Sequence, residues 1–240
     1  MYGRILFGTS AVMFGVVALL WRHSDMWQRL LLLPGPVATG IAWCLAIAQI
    51  TGGVALLHPR TARFGSIALG AVYALFTLAC IPGIVHAPTA YVQYGAFFEQ
   101  LCPACGALAV YAATEPDARR SATLGRASRL GLGLCAISFA LAQLFYLQFT
   151  ASLVPAWIPP NQLFWAIVTT IAFVLAAVAI LLDRQARLAI RLLTVMLALF
   201  GVLVWIPHIV ARPQALSNWS EFAETFLIAG AAWVVGNARP

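Results

Sequence analysis

The chain has 240 residues, of which 62% are hydrophobic and only 9% charged, and its mean hydropathy is +0.92. A water-soluble domain has about half its residues apolar and roughly a quarter charged, so this composition excludes a soluble core and requires hydrocarbon as solvent. The net charge of +7 does not point to nucleic acid, because the fourteen basic residues, all arginine, and the seven acidic ones lie in short gaps between long apolar runs.

Crossing a bilayer takes about 20 mostly apolar helical residues, since lipid offers no partner to free backbone groups. Eight stretches qualify: roughly 4–22, 37–57, 64–84, 95–113, 130–147, 161–182, 188–206 and 221–236. The first could pass for a secretory signal, but no small-residue cleavage site follows it, and Trp21, Arg22 and His23 end the run. An even number of spans places both termini on one side. Eleven arginines lie on that side, among them Arg4, Arg60, Arg63, Arg129, Arg184, Arg187 and Arg239; Arg22, Arg29 and Arg212 lie on the other. This bias predicts cytoplasmic termini in an inner (plasma) membrane protein. The outer loops carry Trp27, Tyr91, Tyr94, Trp157 and Trp219, residue types suited to the membrane interface.

The sequence also repeats. A shift of 124 aligns Arg60, Ala62 and Arg63 with Arg184, Ala186 and Arg187, and Ala74-Leu75-Phe76 with Ala198-Leu199-Phe200. One residue further out of step, Ile81-Pro82-Gly83-Ile84-Val85-His86-Ala87-Pro88 stands over Ile206-Pro207-His208-Ile209-Val210-Ala211-Arg212-Pro213. Arg4, Gly8, Phe14 and Leu19 pair with Arg129, Gly133, Phe139 and Leu144, while Phe98, Gly106 and Ala107 pair with Phe222, Gly230 and Ala231. The expected architecture is an all-α transmembrane eight-helix bundle made by tandem duplication of a four-helix unit. Its parts are a first repeat over 1–113, a cytoplasmic linker over 114–128 and a second repeat over 129–240. Four spans per copy give both copies the same sense and a pseudo-twofold axis along the membrane normal.

The second half resembles the DoxX-like membrane proteins in its Pro- and Trp-bearing outer loop, Leu153-Val154-Pro155-Ala156-Trp157-Ile158-Pro159-Pro160, and its Arg-rich turn, Asp183-Arg184-Gln185-Ala186-Arg187. The first half has Leu33-Pro34-Gly35-Pro36 and His58-Pro59-Arg60-Thr61-Ala62-Arg63 in the same places. The resemblance implies four-span bundles. It also implies an accessory membrane role, since the family includes subunits implicated in quinone-linked sulfur oxidation.

Chemistry-bearing residues are few. Cys102-Pro103-Ala104-Cys105 is expected at the outer end of the fourth span, with Pro103 in a first helical turn and the helix dipole lowering a thiol pKa. Placed there, the pair resembles the membrane-edge dithiol of quinone-coupled disulfide-forming enzymes, and implies a quinone and a membrane redox partner. The plainer reading is packing, because the matching Phe226 and Ala229 hold no thiol; Cys44, Cys80 and Cys135 fall inside apolar runs and read as small hydrophobes. A metal site is not expected, since only His86 could join the cysteines.

Glu99, Glu221 and Glu224 near helix starts have a structural reason there, about 0.3–1 kcal/mol each from the dipole. The functional alternative is an outer vestibule where Glu99, Glu224, His86 and His208 meet a small ligand. Gln49 and Gln143 are expected to hydrogen-bond between helices, and Arg60, Arg63, Arg184 and Arg187 to anchor to anionic lipid headgroups. No phosphate loop, Ser-His-Asp set, H-E-x-x-H pair or dinucleotide fingerprint is present. The favoured function is an accessory protein with an outer-facing pocket for a small lipophilic molecule, or a dock for a redox partner. A quinone-linked thiol oxidoreductase is the alternative, and transport a third.

Overall fold

A computed structural model describes residues 2–21 and 35–238. Expectations placed on Arg22, Trp27, Arg29, Leu33, Pro34 and Arg239 lie outside the described residues. The helices, in chain order, are α1 (Tyr2–Trp21), α2 (Gly35–Leu57), α3 (Ala62–Ala79), α4 (Ile81–His86), α5 (Tyr91–Ala113), α6 (Ala118–Phe145), α7 (Leu147–Leu153), α8 (Gln162–Leu181), α9 (Ala186–Phe200), a π-turn (Gly201–Trp205), α10 (Ile206–Ala211) and α11 (Leu216–Asn237). No strand occurs among the described residues.

Seven helical stretches are long and apolar enough to cross a membrane, with α3–α4 and α9–α10 each counting as one, over Ala62–His86 and Ala186–Ala211. The protein is an integral membrane protein on that evidence. The eighth long helix, α11, falls short because of Asn218, Ser220, Glu221 and Glu224 in its first half. Most of its second half is buried against protein, including Leu227, Ala229, Ala231 and Val235. A helix enclosed by others has little lipid-facing surface and tolerates polar residues that an outer helix would not.

Helix ends follow local chemistry. The Asp117 carboxylate accepts from the Arg119 amide at 2.8 Å and the Arg120 amide at 3.4 Å, starting α6 at Ala118. Residues 118–128, expected as linker, are therefore helix, and the non-helical join is only 114–117. An N-cap followed by good helix formers outweighs polarity once the segment clears the hydrocarbon. Asn161 caps α8 in the same manner, its Oδ1 accepting from the Phe164 amide at 2.8 Å. Pro82 and Pro207 sit in the first turns of α4 and α10, where a missing N–H is tolerated.

The long helices form a closed circuit: α1 packs on α2, α2 on α3, α3 on α5, α5 on α6, α6 on α8, α8 on α9, α9 on α11, and α11 back on α1. Through the middle α5 also packs on α11, which divides the circuit into two lobes sharing those two helices. Small residues permit the close approaches. A Cβ on Gly106 of α5 would lie 2.6 Å from the Ala231 Cβ of α11, and one on Gly230 of α11 would lie 2.6 Å from the Phe7 Cα of α1.

The turns after α4 and α10 are alike bond by bond. Ala87 N donates to Gly83 O at 3.0 Å and Ala90 N to Ala87 O at 3.1 Å; 125 residues on, Arg212 N donates to His208 O at 2.9 Å and Ala215 N to Arg212 O at 3.1 Å. Tyr94 Oη donates to the Pro88 carbonyl at 3.1 Å, and Trp219 Nε1 to the Pro213 carbonyl at 2.8 Å. A phenol and an indole thus tie the same turn in the two halves.

Candidate functional site

The lobe formed by α5, α6, α8, α9 and α11 contains a cavity of about 580 Å³. It lies toward the bundle end that carries α7 and α10, since it takes α6 from its last two turns, α8 and α11 mostly from their first halves, and the segment 150–158. Phe139, Phe173 and Phe200 line it together with Trp165, Trp205 and several aliphatic side chains. Leu192, Val195 and Leu199 of α9 also contribute, although each is at least half exposed on the outer face of that helix. The cavity therefore reaches the outer face of the bundle at α9, beside the α8–α9 contact.

Against these apolar walls stand three carboxylates, Glu99 from α5 and Glu221 and Glu224 from α11. Residues 221 and 224 are one helical turn apart and so share a face. The Gln100 amide, on a fully buried side chain, donates to Glu224 Oε1 at 2.5 Å. Gln143 Oε1 accepts from Thr169 Oγ1 at 3.1 Å and Thr170 Oγ1 at 3.0 Å, the interhelical role expected of it, and faces the same cavity. Gln49 does likewise in the other lobe, donating to the buried Tyr73 hydroxyl at 2.7 Å.

Of the expected vestibule, Glu99 and Glu224 come together and the histidines do not join them. His86 is exposed at the end of α4. His208 lies behind the wall: its Nδ1 is 2.7 Å from the Val204 carbonyl and its ring packs 5.7 Å from that of Trp205, which does line the cavity.

The cysteine pair is not at a helix start. Cys102 is the twelfth residue of α5 and Pro103 lies inside that helix, so the dipole-lowered thiol pKa expected for Cys102 or Cys105 has no basis. The apolar run starts at 95, but the interfacial Tyr91 to Tyr94 form the first turn of the helix. Both thiols are buried, and a third, Cys135 of α6, is within hydrogen-bonding reach of each. Gly131, one turn before Cys135, makes room for the Cys105 sulfur, which a Cβ there would strike. All five cysteines are free thiols. Among the described residues no group of three His, Cys, Asp or Glu is arranged to hold a metal.

Most of the described arginines gather at the opposite end, Arg212 after α10 being an exception. Arg60, Arg184 and Arg187 are exposed. Arg63 is bound to protein: it donates to the Thr114 carbonyl and Tyr111 hydroxyl at 3.0 Å each, pairs with Glu115 at 3.4 Å and stacks over the Tyr111 ring. Arg129 bridges α6 to the α8–α9 turn through Asp183 at 2.7 Å and the Ile180 carbonyl at 2.8 Å.

Glu221, expected only as a helix-start residue, and Trp165 and Trp205, not singled out by the sequence, line the cavity, and Cys135, expected only as packing, adjoins the cysteine pair. The first had a readable signal in its three-residue spacing from Glu224; the others depend on which helices adjoin. Comparison with protein-family models, curated proteins and solved structures finds no match.

Proposed function

We propose that the chain is a DoxX-like inner-membrane protein built from two fused four-helix copies, with α11 as its eighth span and both termini in the cytoplasm, which holds a small lipophilic molecule in the cavity of its second half. The cavity carries this reading. Its volume of about 580 Å³ falls within the usual range for small-molecule sites, roughly 300–1,000 Å³, its walls are largely apolar, and exposed side chains of α9 border it. The duplication is supported by the matched Pro88 and Pro213 turns and by the circuit, in which the first helix of each half packs on the last helix of the other. The arginines at one end support the orientation.

A diazirine-bearing hexadecanol, photolysed with the protein in lipid nanodiscs and mapped by mass spectrometry, tests the pocket. Label is expected on Val168, Thr169, Leu203 and Thr225, to be lost in Ala172→Trp while label on the outer faces of α2 and α3 persists. Uniform lipid-facing label, indifferent to that substitution, would defeat the reading. Reporter fusions at 116 and at the carboxyl end test orientation: fluorescent protein should light up and periplasmic phosphatase stay inactive at both.

Thiol–disulfide chemistry is a second reading, favoured by the convergence of Cys102, Cys105 and Cys135. Their burial in the α5–α6 contact counts against exchange with a partner protein.

A further inference from the structure

We infer that Arg4 holds a phosphate group at the arginine-bearing end of the bundle, in place of the carboxylate that its counterpart Arg129 holds in the other half. The inference is independent of the cavity proposed above.

Among the described residues two arginines are half-buried, Arg4 and Arg129, and the others are exposed. The sequence repeat pairs these two, and their surroundings match. Gly8 and Gly133 each stand one turn further along the same helix face. A Cβ on Gly8 would meet Leu57 and Leu56 of α2 at 3.1 and 3.2 Å, and one on Gly133 would meet Leu181 and Ile180 of α8 at 2.7 and 3.2 Å. Both arginines therefore stand at the end of the neighbouring helix, α2 or α8, beside the turn that follows it.

The two turns differ in what they offer a cation. Arg129 is neutralised by Asp183 at 2.7 Å and donates to the Ile180 carbonyl at 2.8 Å. The repeat puts Pro59 where Asp183 stands. The first-half turn is tied without Arg4, since Thr61 Oγ1 donates to the Ala55 carbonyl at 2.7 Å and the Arg60 amide to His58 Nδ1 at 3.2 Å. Among the described residues, no carboxylate at this end is left for Arg4: Glu115 pairs with Arg63, Asp117 caps α6 and Asp183 belongs to Arg129. Arg4 Nε is buried with no hydrogen-bond partner, while the side chain as a whole is half-buried, so the terminal edge of the guanidinium is the part left open. A half-buried cation without a counter-ion is costly, and a guanidinium fork fits two phosphate oxygens at once. At a bilayer surface the headgroups of anionic lipids supply that group, and free phosphate carries the same chemistry.

The test is native mass spectrometry of the purified full-length protein in detergent, titrated with phosphatidylglycerol, phosphatidylcholine or inorganic phosphate. One phosphate-bearing ligand is expected, held about tenfold or more tighter by the unaltered chain than by Arg4→Gln, the worth of a charge-assisted pair. Phosphatidylglycerol retained against excess inorganic phosphate names a lipid as the source; inorganic phosphate that binds by itself and displaces the lipid names the free ion. Pro59→Asp supplies the missing carboxylate and leaves Arg4 in place. It should release the ligand to the same extent, and it decides the matter if Arg4→Gln fails to fold. Arg126→Gln, at an exposed position of the same end, should bind as the unaltered chain does. Binding unchanged in both Arg4→Gln and Pro59→Asp overturns the inference, as does phosphatidylglycerol bound no tighter than phosphatidylcholine together with no binding of inorganic phosphate.

Discussion

The Gln100 amide donates to the Glu224 carboxylate across the α5–α11 contact, and the two residues stand 124 apart, the same shift that overlays the halves of the sequence. Positions that this shift pairs thus meet where the two lobes join, one as amide and the other as acid. Gln100 is fully buried, so its replacement by Leu removes one donor from the part-buried Glu224 carboxylate. A hydrogen bond to a charged group contributes about 1.5–3 kcal/mol. Gln100→Leu should lower the thermal midpoint in detergent by a corresponding amount, whereas Gln100→Asn, which keeps an amide, should cost less. An unchanged midpoint for the Leu variant would mean that the bond does not hold the lobes together.

Glycines at the helix contacts give a contrast that composition alone would not. A methyl on Gly230 would press on the backbone of Phe7, which cannot move aside, while one on Gly40 meets nothing within 4 Å. Gly230→Ala is expected to destabilise by about 1–3 kcal/mol through overpacking. Gly40→Ala, in an exposed stretch of α2, should stabilise by roughly 0.5–1 kcal/mol because alanine loses less backbone freedom on forming a helix. Denaturation midpoints moving in the same direction for both would contradict the packing of α11 on α1.

Much of this bundle is legible without coordinates, because hydrocarbon imposes long apolar runs, and seven of the eight stretches read that way are helices apolar enough to cross. Helix starts are less so. Tyr91 to Tyr94, Arg119 to Arg129 and Ser217 to Ser220 look like loop by polarity, yet they are helical, since caps and interfacial rings extend helices beyond the apolar layer. The site was half visible: Glu99 and Glu224 are rare charges in apolar surroundings, a signal strong enough to single them out. Their meeting with Glu221, Trp165 and Trp205 depends on α5 and α11 both bordering the second lobe, and helix adjacency leaves no mark in a single sequence. For the same reason the C-P-A-C spacing drew attention to Cys102 and Cys105 while Cys135, on the neighbouring helix, looked like packing.

Those three thiols yield a geometric test. Residues three apart on a helix hold their Cβ atoms about 5–6 Å from each other, wider than the roughly 3.5–4.5 Å a disulfide wants. Cys135 faces both from α6, and Gly131 lets Cys105 approach. Oxidation with membrane-permeant copper phenanthroline should therefore join α5 to α6 through Cys135. Trypsin cutting at Arg119, Arg120 or Arg126 would then leave two fragments that migrate together without reductant and separate with it. The joined species should vanish in Cys135→Ser and survive Cys44→Ser. Fragments that separate without reductant after oxidation would show that the α5–α6 thiols do not meet.

The paired turns allow the two halves to be compared energetically. Tyr94 and Trp219 each tie a proline carbonyl six residues back, at 3.1 and 2.8 Å, and both are positioned near the start of a central helix. Tyr94→Phe removes only the hydroxyl and should cost about 0.5–1.5 kcal/mol, the worth of one hydrogen bond. Trp219→Phe loses the same bond plus indole surface, so its cost should exceed that of Tyr94→Phe. The double variant should lose the sum of the two, because the turns lie in different halves and share no side-chain partner. Thermal unfolding of the two single variants and the double variant checks this, and a double variant markedly more stable than the sum would mean that the turns are coupled through the α5–α11 contact rather than acting as two independent copies of one device.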